Sequence, residues 1–170
     1  YIDLPGDVLY ARVNEDDVVW PQPAQTKHRV PGDPGLVQEA INILARAQRP
    51  VLVSGSGILW SDASAELTQF VNETGIPFYT TPQGRGVVPE DHPRCFLSAR
   101  STAFREADAF LFLGTRFNYV ISHGQAPRFN ADAKVIQVNI DPAEIGKGRP
   151  VDVGIVGDAK AVLGQMLALV

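Results

Sequence analysis

Ala109-Phe110-Leu111-Phe112-Leu113 is an apolar run without alternation, closed by Gly114. A strand with no polar face is buried on both sides, as strands are inside a parallel sheet. On its N-terminal side lie a helical stretch near Ser101 to Ala107, the loop Gln83–Pro93 and a strand at Ile76–Thr80. Further back, Asp62–Thr74 has helical period with Leu67, Phe70 and Val71 inward, and Val51-Leu52-Val53 is a short strand ending in Ser54-Gly55-Ser56-Gly57. Before that strand, Gly32-Asp33-Pro34 announces a helix, with Asp33 as N-cap and Pro34 at the first helical position. Leu36, Val37, Ala40, Ile41, Leu44 and Ala45 form its buried face, and Arg49-Pro50 ends it. On the C-terminal side, a polar loop with Asn118, His123 and Gly124 leads to the strand Lys134–Ile140. Val151–Val156 and a helix starting near Asp158 follow. Right-handed crossovers turn this order into an α/β, doubly wound, Rossmann-like parallel sheet of five or six strands with helices on both faces.

The composition narrows the function classes. A chain of 170 residues has room for one domain, and 45% apolar with 20% charged residues is globular rather than disordered. A net charge of −4 provides no basic field for nucleic acid, and no stretch reaches the roughly 20 apolar residues of a membrane span. The lone Cys95 excludes an internal disulfide and a cysteine-based zinc site, and fits a reducing, cytoplasmic compartment. Tyr1-Ile2-Asp3-Leu4-Pro5-Gly6-Asp7 reads as a closing strand, and the stretch 11–32, rich in Pro, Asp and Asn, as a linker. With no initiator Met and an uncapped apolar helix at 162–170, both ends read as cuts from a larger chain.

In an open parallel sheet, ligands bind beyond the carboxyl ends of the strands. Ser54-Gly55-Ser56-Gly57 could bring backbone amides close to a phosphate, or form only a tight turn. Its match to Gly-x-Gly-x-x-Gly is incomplete because position 60 is Trp. Asp141, after the strand, suits a ribose diol or an Asx-Pro turn. Asp158 suits a ligand or a helix N-cap, and Arg116 a diphosphate or a surface ion pair. His28, His92 and His123 lack metal-ligand spacing; His92 reads as a turn residue and His123 as a solvated loop residue. Cys95 has no base near it in sequence, and no Walker lysine, nucleophile elbow or acid/base carboxylate pair is present. The chain offers ligand contacts without a catalytic group.

Gly84-Arg85-Gly86-Val87-Val88-Pro89-Glu90-Asp91-His92-Pro93 resembles a loop of the central domain in thiamine-diphosphate-dependent enzymes. Ala99-Arg100-Ser101, Glu106-Ala107-Asp108, Gly114-Thr115-Arg116-Phe117-Asn118 and His123-Gly124 resemble more specifically the 2-hydroxyacyl-CoA lyase and oxalyl-CoA decarboxylase branch. Val138-Asn139-Ile140-Asp141-Pro142-Ala143-Glu144-Ile145 is similar to the family's last-but-one strand motif. The residues Tyr1 to Val8 resemble the closing strand of its pyrimidine-binding domain.

The resemblance implies that 1–31 is the end of a pyrimidine-binding domain plus linker, and 32–170 a central nucleotide-binding-like domain. Flanking pyrimidine and pyrophosphate domains of the same chain would hold thiamine diphosphate and Mg²⁺ between paired subunits, in a homodimer or homotetramer acting on acyl-CoA. The activating glutamate and the metal-binding Gly-Asp-Gly belong to those domains, so the isolated stretch is expected to be inactive. By the same resemblance Gly55, Ser56, Gly57, Arg116, Asp141 and Asp158 would contact ADP, and Arg100 and Ser101 would line the substrate channel. Ser56 departs from the lysine often found there in the acyl-CoA enzymes. A diphosphate would then lose a charge-assisted contact of about 1.5–3 kcal/mol. Two alternatives stay open: an acetolactate synthase-like enzyme binding FAD against this domain, and a non-catalytic nucleotide-binding regulatory module.

Overall fold

The computed structural model describes residues 1–21 and 28–170; positions 22–27, within the expected linker, lie outside the described residues. Helix α1 (Gly6–Leu9) is one turn, held by Val8 and Leu9 N–H donating to Pro5 O. It occupies the place of the strand expected at the N-terminus. A strand is stable only against a partner's edge, and the described residues 1–10 pair with no strand and are exposed. The described part of the linker is exposed too, except for the buried Gly32 at its end, with a 3₁₀ turn at Glu15–Asp17.

From Asp33 onward the elements follow the pattern of apolar residues. Helix α2 (Pro34–Arg46) starts on Asp33, whose carboxylate accepts from Gly35 and Leu36 N–H. It buries Val37, Ala40, Ile41 and Leu44, while Ala45, expected inward, is exposed. Strand β1 (Pro50–Ser54) leads into a five-residue helix, α3 (Ser56–Trp60), which the helical period did not foretell. The helix expected from Asp62 begins later, as α4 (Ser64–Thr74), because Asp62 turns the chain with a left-handed φ of 53°. Then come β2 (Phe78–Thr80), α5 (Arg100–Glu106), β3 (Ala109–Leu113), β4 (Lys134–Asn139), β5 (Val153–Val156) and α6 (Ala159–Leu167).

All five strands are parallel, in the order β2-β1-β3-β4-β5, the lower number of the expected five or six. Side chains of β1 to β4 alternate between two buried faces, while β5 buries Val153 and Ile155 on one face only. Leu52, Phe78, Leu111, Leu113, Ile136, Val138 and Ile155 join the core under α2, α4 and α6. Val51, Val53, Tyr79, Phe110, Phe112 and Val135 join a second core with Phe104 of α5 and with Phe117, Ile121 and Phe129. Helices therefore cover both faces, α2, α4, α6 and the short α3 on one and α5 on the other, where the irregular segment 115–133 completes the cover. Arg149, 7% exposed, lies beneath that segment. Its guanidinium donates to Gly124 O, Asn130 O (2.8 Å) and Ala133 O (3.2 Å), so three buried or part-buried loop carbonyls are satisfied by one side chain.

Candidate functional site

The strand order reverses at β1, which has β2 on one side and β3 on the other, so the loops after β1 and β3 diverge there. They also touch. Gly55 N–H donates to Leu113 O at 2.9 Å, and Gly57 N–H to Gly114 O at 2.9 Å. A Cβ on Gly57 would lie 2.5 Å from Gly114 Cα, and Gly114 itself has φ +58°. The glycines are thus required by the crossing of two backbones. The amides of Gly55 and Gly57 are committed to it, which leaves Ser56 as the residue of this turn with a side chain that can meet a ligand.

Two cavities flank the crossing. One, of about 390 Å³, is lined by Ser56, Gly57, Trp60, Arg116, Asp141 and Asp158 among others. The second, of about 380 Å³, is lined by Thr81, Gln83, Thr115, Asn118 and Tyr119, and shares Ser56, Gly114 and Arg116 with the first. Each falls within the roughly 300–1,000 Å³ of small-molecule sites. The structure therefore brings Ser56, Gly57, Arg116, Asp141 and Asp158 to one cleft and places Gly55 behind its wall. Arg100 and Ser101 stand apart on the exposed first turn of α5, against the other core. Trp60, which had counted only against a glycine fingerprint, lines the cleft. Thr81, Gln83 and Tyr119 of the second cavity carried no signal in the sequence, being polar loop residues of ordinary type, and Thr115 entered only as part of the stretch Gly114–Asn118.

The charges in the cleft are unequally committed. Asp158 caps α6 through Lys160 and Ala161 N–H, both at 3.1 Å, and also pairs with Arg29 at 3.0 Å. Glu144 pairs with Lys147 at 3.0 Å. Asp141 accepts from Ala143 N–H at 2.9 Å, an Asx-Pro turn that uses one carboxylate oxygen, and it is exposed. Arg116 is exposed and enters no ion pair among the described residues. One carboxylate and one guanidinium lining the same cleft enter no ion pair among the described residues. That arrangement suits a molecule with a diol or amine at one end and an anion at the other.

The loop 84–93 is built for structure. Val87 and Val88 enter the core, and Arg85 grips Glu90 with two hydrogen bonds of 2.9 and 2.6 Å. Arg94 N–H donates to His92 Nδ1, so His92 Nε2 carries the proton and donates to Asn72 Oδ1 at 3.0 Å. Asp108 accepts from Gln48 and Arg49 N–H, tying the end of α2 to the start of β3. His123 Nδ1 donates to Phe117 O at 3.1 Å, on an exposed residue. Cys95 is half-buried, and burial, followed by the charge of Glu90, raises its thiol above the ordinary range, the opposite of a nucleophile's need. Among the described residues no group of three His, Cys, Asp or Glu could hold a metal ion, and no helix is long and apolar enough to cross a membrane.

A family model described as the thiamine pyrophosphate enzyme central domain matches residues 37–166. The chain is 36% identical over 171 residues to 2-hydroxyacyl-CoA lyase of Arabidopsis thaliana, covering 98% of this chain and 30% of that one. It is 34% identical over 175 residues to oxalyl-CoA decarboxylase of Escherichia coli, with 99% and 30% covered. It is also 37% identical over 180 residues to a Methanocaldococcus jannaschii protein named as a probable acetolactate synthase large subunit, again with 99% and 30% covered. The chain thus spans about 30% of the length of these curated relatives. In fold it matches the crystal structure of benzoylformate decarboxylase from Polynucleobacter necessarius, with a TM-score of 0.70 at 22% identity, over 90% of this chain and 30% of that one.

Proposed function

The chain belongs to the family of thiamine pyrophosphate enzyme central domains, and from that premise we propose that it serves a lyase acting on 2-hydroxyacyl-CoA, cleaving or joining carbon–carbon bonds. In this reading residues 1–31 are the end of a pyrimidine domain and its linker, and 32–170 form the central domain. Flanking domains hold thiamine diphosphate and Mg²⁺, where the cofactor acts as an electron sink for a carbanion. The assembly is a cytoplasmic homodimer or homotetramer. The residues seen here contribute walls and an ADP site and supply no catalytic group.

One observation carries the ADP reading: Arg116 and Asp141 line the same cleft, and neither enters an ion pair among the described residues. Arg116 would meet the diphosphate, Asp141 the ribose, and Ser56 would give one neutral hydrogen bond where a lysine would give a charge. Calorimetric titration of ADP into the full protein tests this. Arg116→Ala and Asp141→Ala should each weaken binding by roughly 10-fold or more, given about 1.5–3 kcal/mol for a hydrogen bond to a charged group. Equal affinities in wild type and both variants would remove ADP from this cleft.

A second reading is favoured by the shared rim of the two cavities and by the acetolactate synthase relative. A longer dinucleotide such as FAD could lie across Ser56, Gly114 and Arg116 into both. Flavin absorbance in the purified holoenzyme would select it; a colourless holoenzyme that binds ADP would select the first.

A further inference from the structure

Gln137 interrupts the apolar run of β4 and is fully buried, although an amide taken out of water is costly unless its hydrogen bonds are replaced. Its replacements are all backbone groups. Nε2 donates to Glu144 O at 3.0 Å and, at a longer 3.4 Å, to Thr115 O, while Oε1 accepts from Gly146 N–H at 2.9 Å. Asn139, two residues on and so on the same face of the strand, repeats the pattern. Its Nδ2 reaches Thr115 O at 3.4 Å, and its Oδ1 accepts from Asp141 N–H at 3.0 Å. Beside Gln137 in the sheet stands Gly154 of β5, and Ile145 fills the space that a Cβ there would need. The turn 144–146 is thus seated directly on the strands.

Both amides join the same two loops. Thr115 immediately precedes Arg116, and the segment from Asp141 to Gly146 begins with the cleft's free carboxylate. Gln137 itself lines neither cavity, so it can act on a ligand only through these loops. We infer that Gln137, seconded by Asn139, is a positioning residue that holds the loop of Arg116 at a fixed separation from the loop of Asp141. A carboxamide suits the task because it carries donor and acceptor in one plane. An apolar residue would leave Glu144 O and Gly146 N–H without a partner. The inference rests on the ADP reading above and adds what keeps its two contacts in register. A ligand gripped at both ends gains over one gripped at either end only while the spacing fits.

Calorimetric titration of ADP into the full protein tests this through a double-mutant cycle. Gln137→Met keeps the length of the side chain, removes its hydrogen bonds, and should weaken ADP binding roughly 10-fold. Combined with Asp141→Ala it should bind ADP no more weakly than Asp141→Ala alone, because a ligand held at one end no longer depends on the spacing. Val71→Ala, a deletion in the core under α4, should lower the urea midpoint without changing ADP affinity. If Gln137→Met does not fold, Gly154→Ala, which displaces the same turn through Ile145, should show the same non-additivity with Asp141→Ala. Unchanged ADP affinity in the Gln137 variant, or in the Gly154 variant standing in for it, overturns the positioning role and leaves the ADP reading standing. Losses that multiply in the double variant, or that Val71→Ala reproduces, overturn it too, since reduced stability would then be the cause. Failure of the unsubstituted protein to bind ADP overturns both readings.

Discussion

On one face of the sheet, Leu52, Leu111, Ile136 and Ile155 lie under α2, α4 and α6; on the other, Val53, Tyr79, Phe110 and Phe112 lie under α5 and the segment 115–133. The first face is mainly aliphatic, with Phe70 and Phe78 as its aromatic rings, and is covered by helices whose apolar stripes repeat along the chain. The second is aromatic and covered by side chains that share no period. Phe104 stacks on Phe129 with ring centroids 4.5 Å apart, Phe129 meets Phe110 at 5.4 Å, and Phe117 meets Phe112 edge-on at 4.8 Å. A few large rings, brought together from a helix, a strand and a loop, bury what three amphipathic helices bury opposite. An irregular segment can thus be as structural as a helix when its aromatic residues are placed by Arg149, which holds the loop carbonyls from below.

The sharpest way to break this equivalence is to remove one anchor from each cover. Phe129→Ala should destabilise the protein by about 3–5 kcal/mol, as much as or more than Leu111→Ala on the helical face at about 2–5 kcal/mol. Urea midpoints measure both. A loss under about 1 kcal/mol at Phe129 would mean that the loop is a loose flap over an already sufficient core.

The seam where the two faces meet, at the crossing of the loops after β1 and β3, should respond less but still measurably. Gly57→Ala places a methyl 2.5 Å from Gly114 Cα, and overpacking of this kind costs about 1–3 kcal/mol. Because backbone rather than a flexible side chain must yield, the same variant should alter the cleft at Ser56. Unaltered stability, with Ser56 and Gly114 unmoved in a crystal structure of the variant, would show that the two loops are free to separate.

The smallest effect concerns the tie between the covers, Asp108, which follows α5 on the aromatic face and accepts from Gln48 and Arg49 at the end of α2 on the aliphatic one. Burial pushes its carboxyl up, but the backbone N–H donors outweigh that and leave it below the ordinary carboxylate range. A carboxyl depressed on folding stabilises fully above its unfolded pKa of about 3.9, and that stabilisation is lost as pH falls through the lower folded value. Asp108→Asn should therefore flatten the acid limb of the stability–pH profile. Superimposable acid limbs for the variant and wild type would deny the tie its ionic character.

The readable features of the candidate site share one physical origin. Asp158 and Asp141 are turn and cap residues at strand ends, so their positions could be read from local rules, and both perform those local tasks as well as lining the cleft. The glycines of 55 and 57 were legible as a tight turn, but the reason for them was not. They are required by Gly114, whose backbone approaches only once β1 and β3 are paired. Trp60 misled, because a fingerprint compares residue types along the chain while a cleft collects them across it. Ser56 and Arg116 share two cavities for the same cause.

What the amino-acid sequence determined alone is the α/β alternation, the parallel sheet and the amphipathic helices of one face. Hydrophobic period and capping residues act within a few residues of themselves. The helical turn at Gly6–Leu9, the split of α3 from α4, and the aromatic cover over the second face were decided by tertiary structure. Each depends on whether a distant partner is present to pair with, collide with or stack upon.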